Sequence, residues 1–338
     1  MLTKRQLTKQ QRRRIEQNQA NAGAETNTQQ EVAGGKVCDT DPERYGVVIA
    51  SYGTQVDVEA VVISKIIVRR CHLRANLPTI VSGDKVTWKD SGTHGVVIAQ
   101  YPRNSELCRP DNRGNLRPIA ANIDRIAIVI APYPEPHANL IDRYLVAAEH
   151  QAIEPLIILN KADQIEQENL ESLISLAKNY EKLGYDYFLV SAKNGAGIKE
   201  LEVYLRDFTS VFVGQSGVGK SSLLNRLSPE INVAVGDLSK SKEKGTHTTT
   251  TSRLFHLPSG GDVIDSPGIR EFGLWHLKPD AIAEGFIEFL AYLGKCRFRN
   301  CRHQHEPDCA LIEAINAGKI QRVRFESYLH MVNSLKDG

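Results

Sequence analysis

Residues Gly214-Gln215-Ser216-Gly217-Val218-Gly219-Lys220-Ser221 constrain this chain more than any other stretch. They satisfy G-x-x-x-x-G-K-[ST], directly after the apolar run Val211-Phe212-Val213 and before the helix-forming segment 222–227. Such a loop turns its backbone N–H groups inward around a phosphate, and its flanks must be a buried strand and a helix. Lys220 is placed to neutralise β/γ-phosphate charge, which makes it a candidate catalytic residue, and the Ser221 hydroxyl to ligate Mg2+.

The surrounding chain agrees with an α/β sheet. From residue 123 onward, the apolar runs Ile126–Ile130, Leu156–Leu159, Tyr187–Val190, Ser210–Val213 and Val263-Ile264 alternate with amphipathic stretches such as Leu140–Gln151 and Asn169–Leu183. That alternation predicts a parallel sheet covered on both faces. Asn160-Lys161-Ala162-Asp163 follows one strand and Ser191-Ala192-Lys193 follows another, where ligands bind in open α/β sheets. A carboxylate at Asp163 accepts the N1–H and N2–H pair that guanine offers and adenine lacks, so the nucleotide is read as GTP or GDP. Ser191, Ala192 and Lys193 supply backbone support for guanine O6.

Asp265-Ser266-Pro267-Gly268 gives a D-x-x-G element, in which Asp265 reaches Mg2+ through water and the Gly268 N–H contacts the γ-phosphate. Between it and the phosphate loop lies Gly245-Thr246-His247-Thr248-Thr249-Thr250-Thr251. A threonine here completes the Mg2+ shell; Thr249 is the expected ligand, with Thr248 and Thr250 as rivals. The motifs therefore run in circularly permuted order, with the base-reading elements ahead of the phosphate loop. Where Ras-like enzymes carry a water-orienting Gln, this chain has Ile269, which cannot orient water. Slow intrinsic turnover follows, and His247 is the candidate group for positioning the water, against the plainer reading of an exposed loop histidine.

Length sets the rest of the organisation. A chain of 338 residues is too long for one core, and three folded domains are expected. Residues 1–36 carry Lys4, Arg5, Lys9, Arg12, Arg13 and Arg14 and almost no large apolar side chains, as in a disordered basic tail. Residues 37–119 hold five short β-rich runs, Tyr45–Ser51, Val56–Ile63, Ile66–Arg70, Lys85–Trp88 and Val96–Gln100, separated by turn formers. They fit an all-β OB-fold barrel, a fold that commonly binds RNA, and Arg69, Arg70, Arg74, Arg103, Arg109, Arg113 and Arg117 lie in or near it. Residues 120–277 are the α/β GTPase domain and 278–338 a mostly helical third domain.

That last domain contains Cys296-x4-Cys301-x-His303-x5-Cys309. Three thiolates and an imidazole make a closed tetrahedral set suited to one structural Zn2+, with His305 as a rival ligand. Cysteines so distributed suit a reducing compartment. No apolar run approaches the roughly 18 residues that span a bilayer, and the basic N-terminus lacks an apolar signal core, so a cytoplasmic protein with no membrane partner is expected. The net charge of +2 argues neither for nor against a nucleic-acid partner.

Taken together, the barrel, the permuted motifs and the Cys-x4-Cys-x-His-x5-Cys cluster resemble the bacterial RsgA (YjeQ) family of GTPases over about residues 37–336. The resemblance implies a slow GTPase stimulated by the small ribosomal subunit, acting late in that subunit's maturation through ribosomal RNA and helping to release other assembly factors. It also implies a monomer, carries Ser222 into the phosphate site with Gly214 to Ser221, and assigns Cys296, Cys301, His303 and Cys309 as zinc ligands. Thr246 departs from the Arg or Gln that often precedes the histidine. From the residues themselves, one reading of another class remains, a nucleotide-gated rRNA-binding scaffold in which hydrolysis is incidental. A GTPase of tRNA modification or membrane trafficking is disfavoured, because neither a membrane anchor nor a substrate-chemistry motif is visible.

Overall fold

The computed structural model describes residues 42–92, 94–111, 115–165, 167–229, 252–265 and 277–334. The basic tail, the threonine segment with His247 and Thr249, and Ser266 to Ile269 lie outside the described residues.

Alternating apolar side chains build the N-terminal barrel from β1 (Arg44–Ser51), β2 (Gln55–Val62), β3 (Lys65–Leu73), β4 (Lys85–Asp90) and β5 (Gly95–Gln100). In β2 the inward positions Val56, Val58 and Ala60 are buried while their neighbours are not, as period-2 patterning requires. The strands pair in the order β1-β2-β3-β5-β4, and β4 returns to β1 to close the ring. Pairing of β3 with β5 is parallel and the rest is antiparallel, the OB arrangement expected from sequence. Val48, Val86, Trp88, Val97 and Cys71 fill its centre.

Two features escaped the sequence reading. A hairpin of β6 (Glu106–Pro110) and β7 (Leu116–Ala121) follows the barrel; Pro110 and Pro118 argue against strands from composition alone. Arg103, counted among the cations near the barrel, is internal. Its guanidinium donates to Asp84 at 2.8 Å and Glu106 at 2.9 Å, and the Asp84 side chain is fully buried, so Arg103 leaves the set available to RNA.

The second sheet has the order β10-β9-β8-β11-β13-β12, from β8 (Arg125–Ile130), β9 (Glu154–Leu159), β10 (Asp186–Leu189), β11 (Thr209–Val213), β12 (Arg253–His256) and β13 (Asp262–Asp265). All pairs are parallel except β12–β13. The four-residue β12 was also missed in the sequence, being too short for a periodic signal. Ile126 and Ile128 face one side with Leu145 of α1 (Ala138–His150) and Tyr180 of α2 (Gln167–Lys182). Ala127 and Val129 face the other with Leu201 of α3 (Ile198–Leu205) and Leu224 of α4 (Lys220–Leu227). Strand β11, which feeds the phosphate loop, lies mid-sheet between β8 and β13, although β8, β9 and β10 precede it in the chain. That is the circular permutation in three dimensions.

Barrel and GTPase sheet touch along β1 and β12, with Ala50 opposite Arg253. Ser82 donates to the Ser252 carbonyl at 2.7 Å, and His256 bridges Asp262 at 2.6 Å and Glu59 of β2 at 2.8 Å. The hydrogen bond to Asp262, helped by Glu59, pushes the His256 ring up to about 9, so this bridge is charged at neutral pH.

The C-terminal helices α5 (Pro279–Glu284), α6 (Ala310–Asn316) and α7 (Arg322–Ser334) do not form an isolated core. Phe286, Phe289, Phe325 and Tyr328 belong to the same apolar cluster as Leu145 and Val146 of α1. Under that cluster, Arg324 reaches Asp142 of α1 and pairs with Glu288 at 2.7 Å, and Tyr180 of α2 donates to Asp142 at 2.6 Å.

Candidate nucleotide site and metal centre

The phosphate loop is shaped by glycine at two points. Gly214 has φ 137° and a Cβ there would stand 2.1 Å from the Val129 carbonyl; Gly219 has φ 91° and its Cβ would stand 2.5 Å from Asn160 Nδ2. Both conformations are poorly accessible to other residues, and both approaches exclude a side chain. Lys220 Nζ donates to the Gly214 and Gln215 carbonyls at 2.7 and 2.6 Å, which holds the amine at the centre of the loop. Ser221 and Ser222 occupy the first turn of α4 behind it.

Asn160 joins the two halves of the site. It is buried at 1% exposure, and its amide nitrogen donates to the Val218 carbonyl at 3.0 Å while its oxygen accepts from the Ala192 N–H at 3.1 Å. One side chain thus locks the phosphate loop to the Ser191-Ala192-Lys193 turn. Ala162 and Asp163 lie in the short 3-10 turn Ala162–Gln164 after β9. Asp163 accepts from the Ser191 hydroxyl at 2.5 Å and faces Lys193 at 3.8 Å. The serine first, then its own backbone N–H and the lysine, hold its carboxyl below the usual carboxylate range, so it is an ionised acceptor at neutral pH. Asp265 ends β13, whose parallel register with β11 places Ile264 opposite Val211, at the same carboxyl edge as the phosphate loop. Among the described residues, Asn160, Asp163, Ser191 and Ala192 lie together, and Asn160 joins them to the phosphate loop. Sequence reasoning missed the Asn160 amide as the tie between loops, a role whose signal was in the motif but whose partners are 58 residues away.

Cys296, Cys301, His303 and Cys309 converge with all ligand atoms within 4.8 Å of one another, and His305 is not in the group. Cys296 Sγ lies 3.9 Å from Cys309 Sγ and 3.4 Å from His303 Nδ1, which lies 3.4 Å from Cys309 Sγ. A tetrahedron with the usual zinc bond lengths has S···S and S···N edges of roughly 3.8 and 3.5 Å, so the cluster fits zinc. Burial pushes the Cys301 thiol up to about 12 and lowers the basicity of His303; a bound cation is what would take such thiols to thiolates.

A family model described as RsgA GTPase matches residues 100–275. Over 99% of its length the chain is 54% identical to the small ribosomal subunit biogenesis GTPase RsgA of Azotobacter vinelandii, covering 99% of that protein. The chain belongs to the RsgA GTPase family. It is also 54% identical to RsgA of Pseudomonas aeruginosa, with 99% of both chains covered. Among solved structures, the crystal structure of YjeQ from Thermotoga maritima superposes with a TM-score of 0.73 at 32% identity, covering 88% of this chain and all of that one. YloQ, described as a circularly permuted GTPase, gives 0.70 at 29% identity, covering 90% of this chain and 98% of that one. Membership of a GTPase family gives a reaction to the site just described, and the permutation seen in the sheet is a property shared with YloQ. Among the described residues no helix is long and apolar enough to cross a membrane.

Proposed function

We propose that this chain hydrolyses GTP to GDP and phosphate in the service of small ribosomal subunit maturation, contacting ribosomal RNA and helping other maturation factors leave. The observation that carries the nucleotide reading is Asn160, whose amide ties the phosphate loop to the base-reading turn. The biological setting rests on relatives that are named small ribosomal subunit biogenesis GTPases.

In this reading, Gly214 to Ser222 cradle the phosphates, and Lys220 releases its two loop carbonyls to meet the β- and γ-phosphate oxygens. Asp163 accepts from guanine, with Asn160, Lys161, Ala162 and the turn Ser191, Ala192, Lys193 holding the base. Asp265 and Gly268 carry the γ-phosphate end, and His247 positions the attacking water. Ser221 and Thr249 would hold Mg2+, which would supply charge neutralisation at the phosphates. With Ile269 unable to orient water, turnover is slow until the small subunit completes the site. The domains divide at residues 37, 120 and 278, and the protein acts as a cytoplasmic monomer. Purified small subunits are expected to raise GTP turnover well above that of the protein alone; phosphate release assayed with and without subunits decides it, and equal rates would sink the ribosomal assignment.

Cys296, Cys301, His303 and Cys309 hold one structural zinc, because the four donors close the shell and leave no position for substrate. Arg297, Arg299 and Arg302, interleaved with them, present cations to RNA phosphates. One zinc per chain is expected by elemental analysis of the purified protein. Its removal by a chelator, or Cys301→Ser, is expected to melt the segment around α6 while leaving GDP affinity within a few-fold, since metal binding energy is folding energy in such knuckles. A chelated protein with an unchanged hydrogen-exchange pattern over residues 295–316 contradicts a structural metal.

A further inference from the structure

The loop from β8 to α1 reads Ala131-Pro132-Tyr133-Pro134-Glu135-Pro136-His137, with proline at every second position. None of the nucleotide motifs uses it. Proline limits backbone freedom before any ligand arrives, so a segment built this way acts as a preset wall.

The fold lays this wall along the phosphate loop. The Tyr133 carbonyl accepts from Lys161 Nζ at 2.8 Å. Pro134 Cδ lies 3.7 Å from the point where a Cβ on Gly217 would stand, and Pro136 and His137 line a small cavity with Gly214 and Gln215. Lys161 stands between Asn160, which grips the phosphate loop, and Asp163, which faces the base. Its stem runs beside the phosphate loop, with Cε 3.8 Å from the point where a Cβ on Gly219 would stand. Its amine ends on Tyr133. Ala131 and Pro132 are buried, whereas Tyr133 is 54% exposed.

We propose that residues 132–136 form the ribose wall of the nucleotide pocket, with Tyr133 packing over the sugar and the Lys161 stem to slow nucleotide release. A planar ring with two rotatable bonds covers a sugar at small entropic cost. The proposal rests on the GTP-site reading above and adds to it a residue outside the guanine and phosphate motifs.

The test uses the full chain, calorimetric titration with GDP, and release of radiolabelled GDP into excess unlabelled nucleotide. Tyr133→Ala is expected to weaken GDP binding by about 10-fold, mostly through faster release, and to raise KM for GTP more than it lowers kcat. Tyr133→Phe, which keeps the ring, is expected to restore binding and release to within about twofold of the parent. Tyr133→Leu serves as a second ring-removing variant should the alanine chain fail to fold. Ring removal that leaves both affinity and release within twofold overturns the proposal. Asp163→Asn separates this from failure of the underlying site: it is expected to exchange preference from GDP toward xanthosine diphosphate. A chain that gains no xanthosine diphosphate binding overturns the guanine reading, and the ribose wall with it.

Discussion

Lys220→Ala is expected to lower kcat/KM for GTP by about 10²- to 10³-fold, the usual cost of deleting one preorganised donor from a site that stabilises developing phosphoryl charge. The amine now sits on the Gly214 and Gln215 carbonyls at 2.7 and 2.6 Å. It is thus already at the centre of the loop and needs only to exchange carbonyl acceptors for phosphate oxygens. The loop's shape does not depend on it alone, since Gly214 and Gly219 carry the turn and Asn160 anchors Val218. The variant is therefore expected to fold, with an unaltered circular dichroism spectrum, while single-turnover GTP cleavage collapses. A variant retaining more than a tenth of the parent's kcat/KM would take Lys220 out of the catalytic set.

Arg324→Ala has the largest expected effect on stability, a loss of about 3–5 kcal/mol, because it strips the partner from charges that water cannot reach. The Arg324 side chain is 3% exposed and Asp142 0%, and Glu288 is 8% exposed on the guanidinium's other flank. Without the arginine, Asp142 retains Tyr180 as a donor, but its carboxyl, already pushed up by burial, must either carry an uncompensated charge or take up a proton, and both are costly. Asp142→Ala alone is expected to be costly for the mirror reason. The double substitution is expected to cost clearly less than the sum of the two, the signature of a shared interaction. Urea denaturation of the four proteins measures this; additive losses, or a loss under about 1 kcal/mol for Arg324→Ala, would mean that the pair is solvated in solution.

The location of that pair also bears on function. Asp142 and Tyr144 sit on one helix, α1, and Tyr144 lines a cavity with Gly214 and Gln215 while Asp142 holds the C-terminal helix α7. Helix α1 therefore touches the phosphate-loop cavity through Tyr144 and the C-terminal helix α7 through Asp142. Three domains were read in the sequence, and three sets of elements are present, but the third shares its apolar core with the second.

Much of the site was legible in the chain because its elements are local. The phosphate loop needs glycines at fixed offsets to reach left-handed backbone and close approaches, and Gly214 and Gly219 announce that without any knowledge of the fold. Asp163 and Ser191 follow apolar runs, so their placement at strand ends was readable from periodicity. The metal cluster is legible for the same reason: all four donors fall between residues 296 and 309, and their spacing alone permits a tetrahedron.

What periodicity could not carry was anything decided by partners far away in sequence. Arg103 reads as a surface cation, and only the return of Asp84 to zero exposure beneath it makes it internal. Strand β12 has four residues and no period, and exists because β13 offers it an edge. Asn160 reads as part of a base-recognition tetrad, yet the work its amide does is across 58 residues to Val218 and 32 to Ala192. Local dihedral preference and burial pattern are properties of a segment, and the sequence by itself determined those: the phosphate loop, the strands that flank it, the permuted order and the four metal donors. Pairing of buried charges, closure of the barrel and the shared core of α1 with α7 depend on which surfaces meet, and only the tertiary structure decided them.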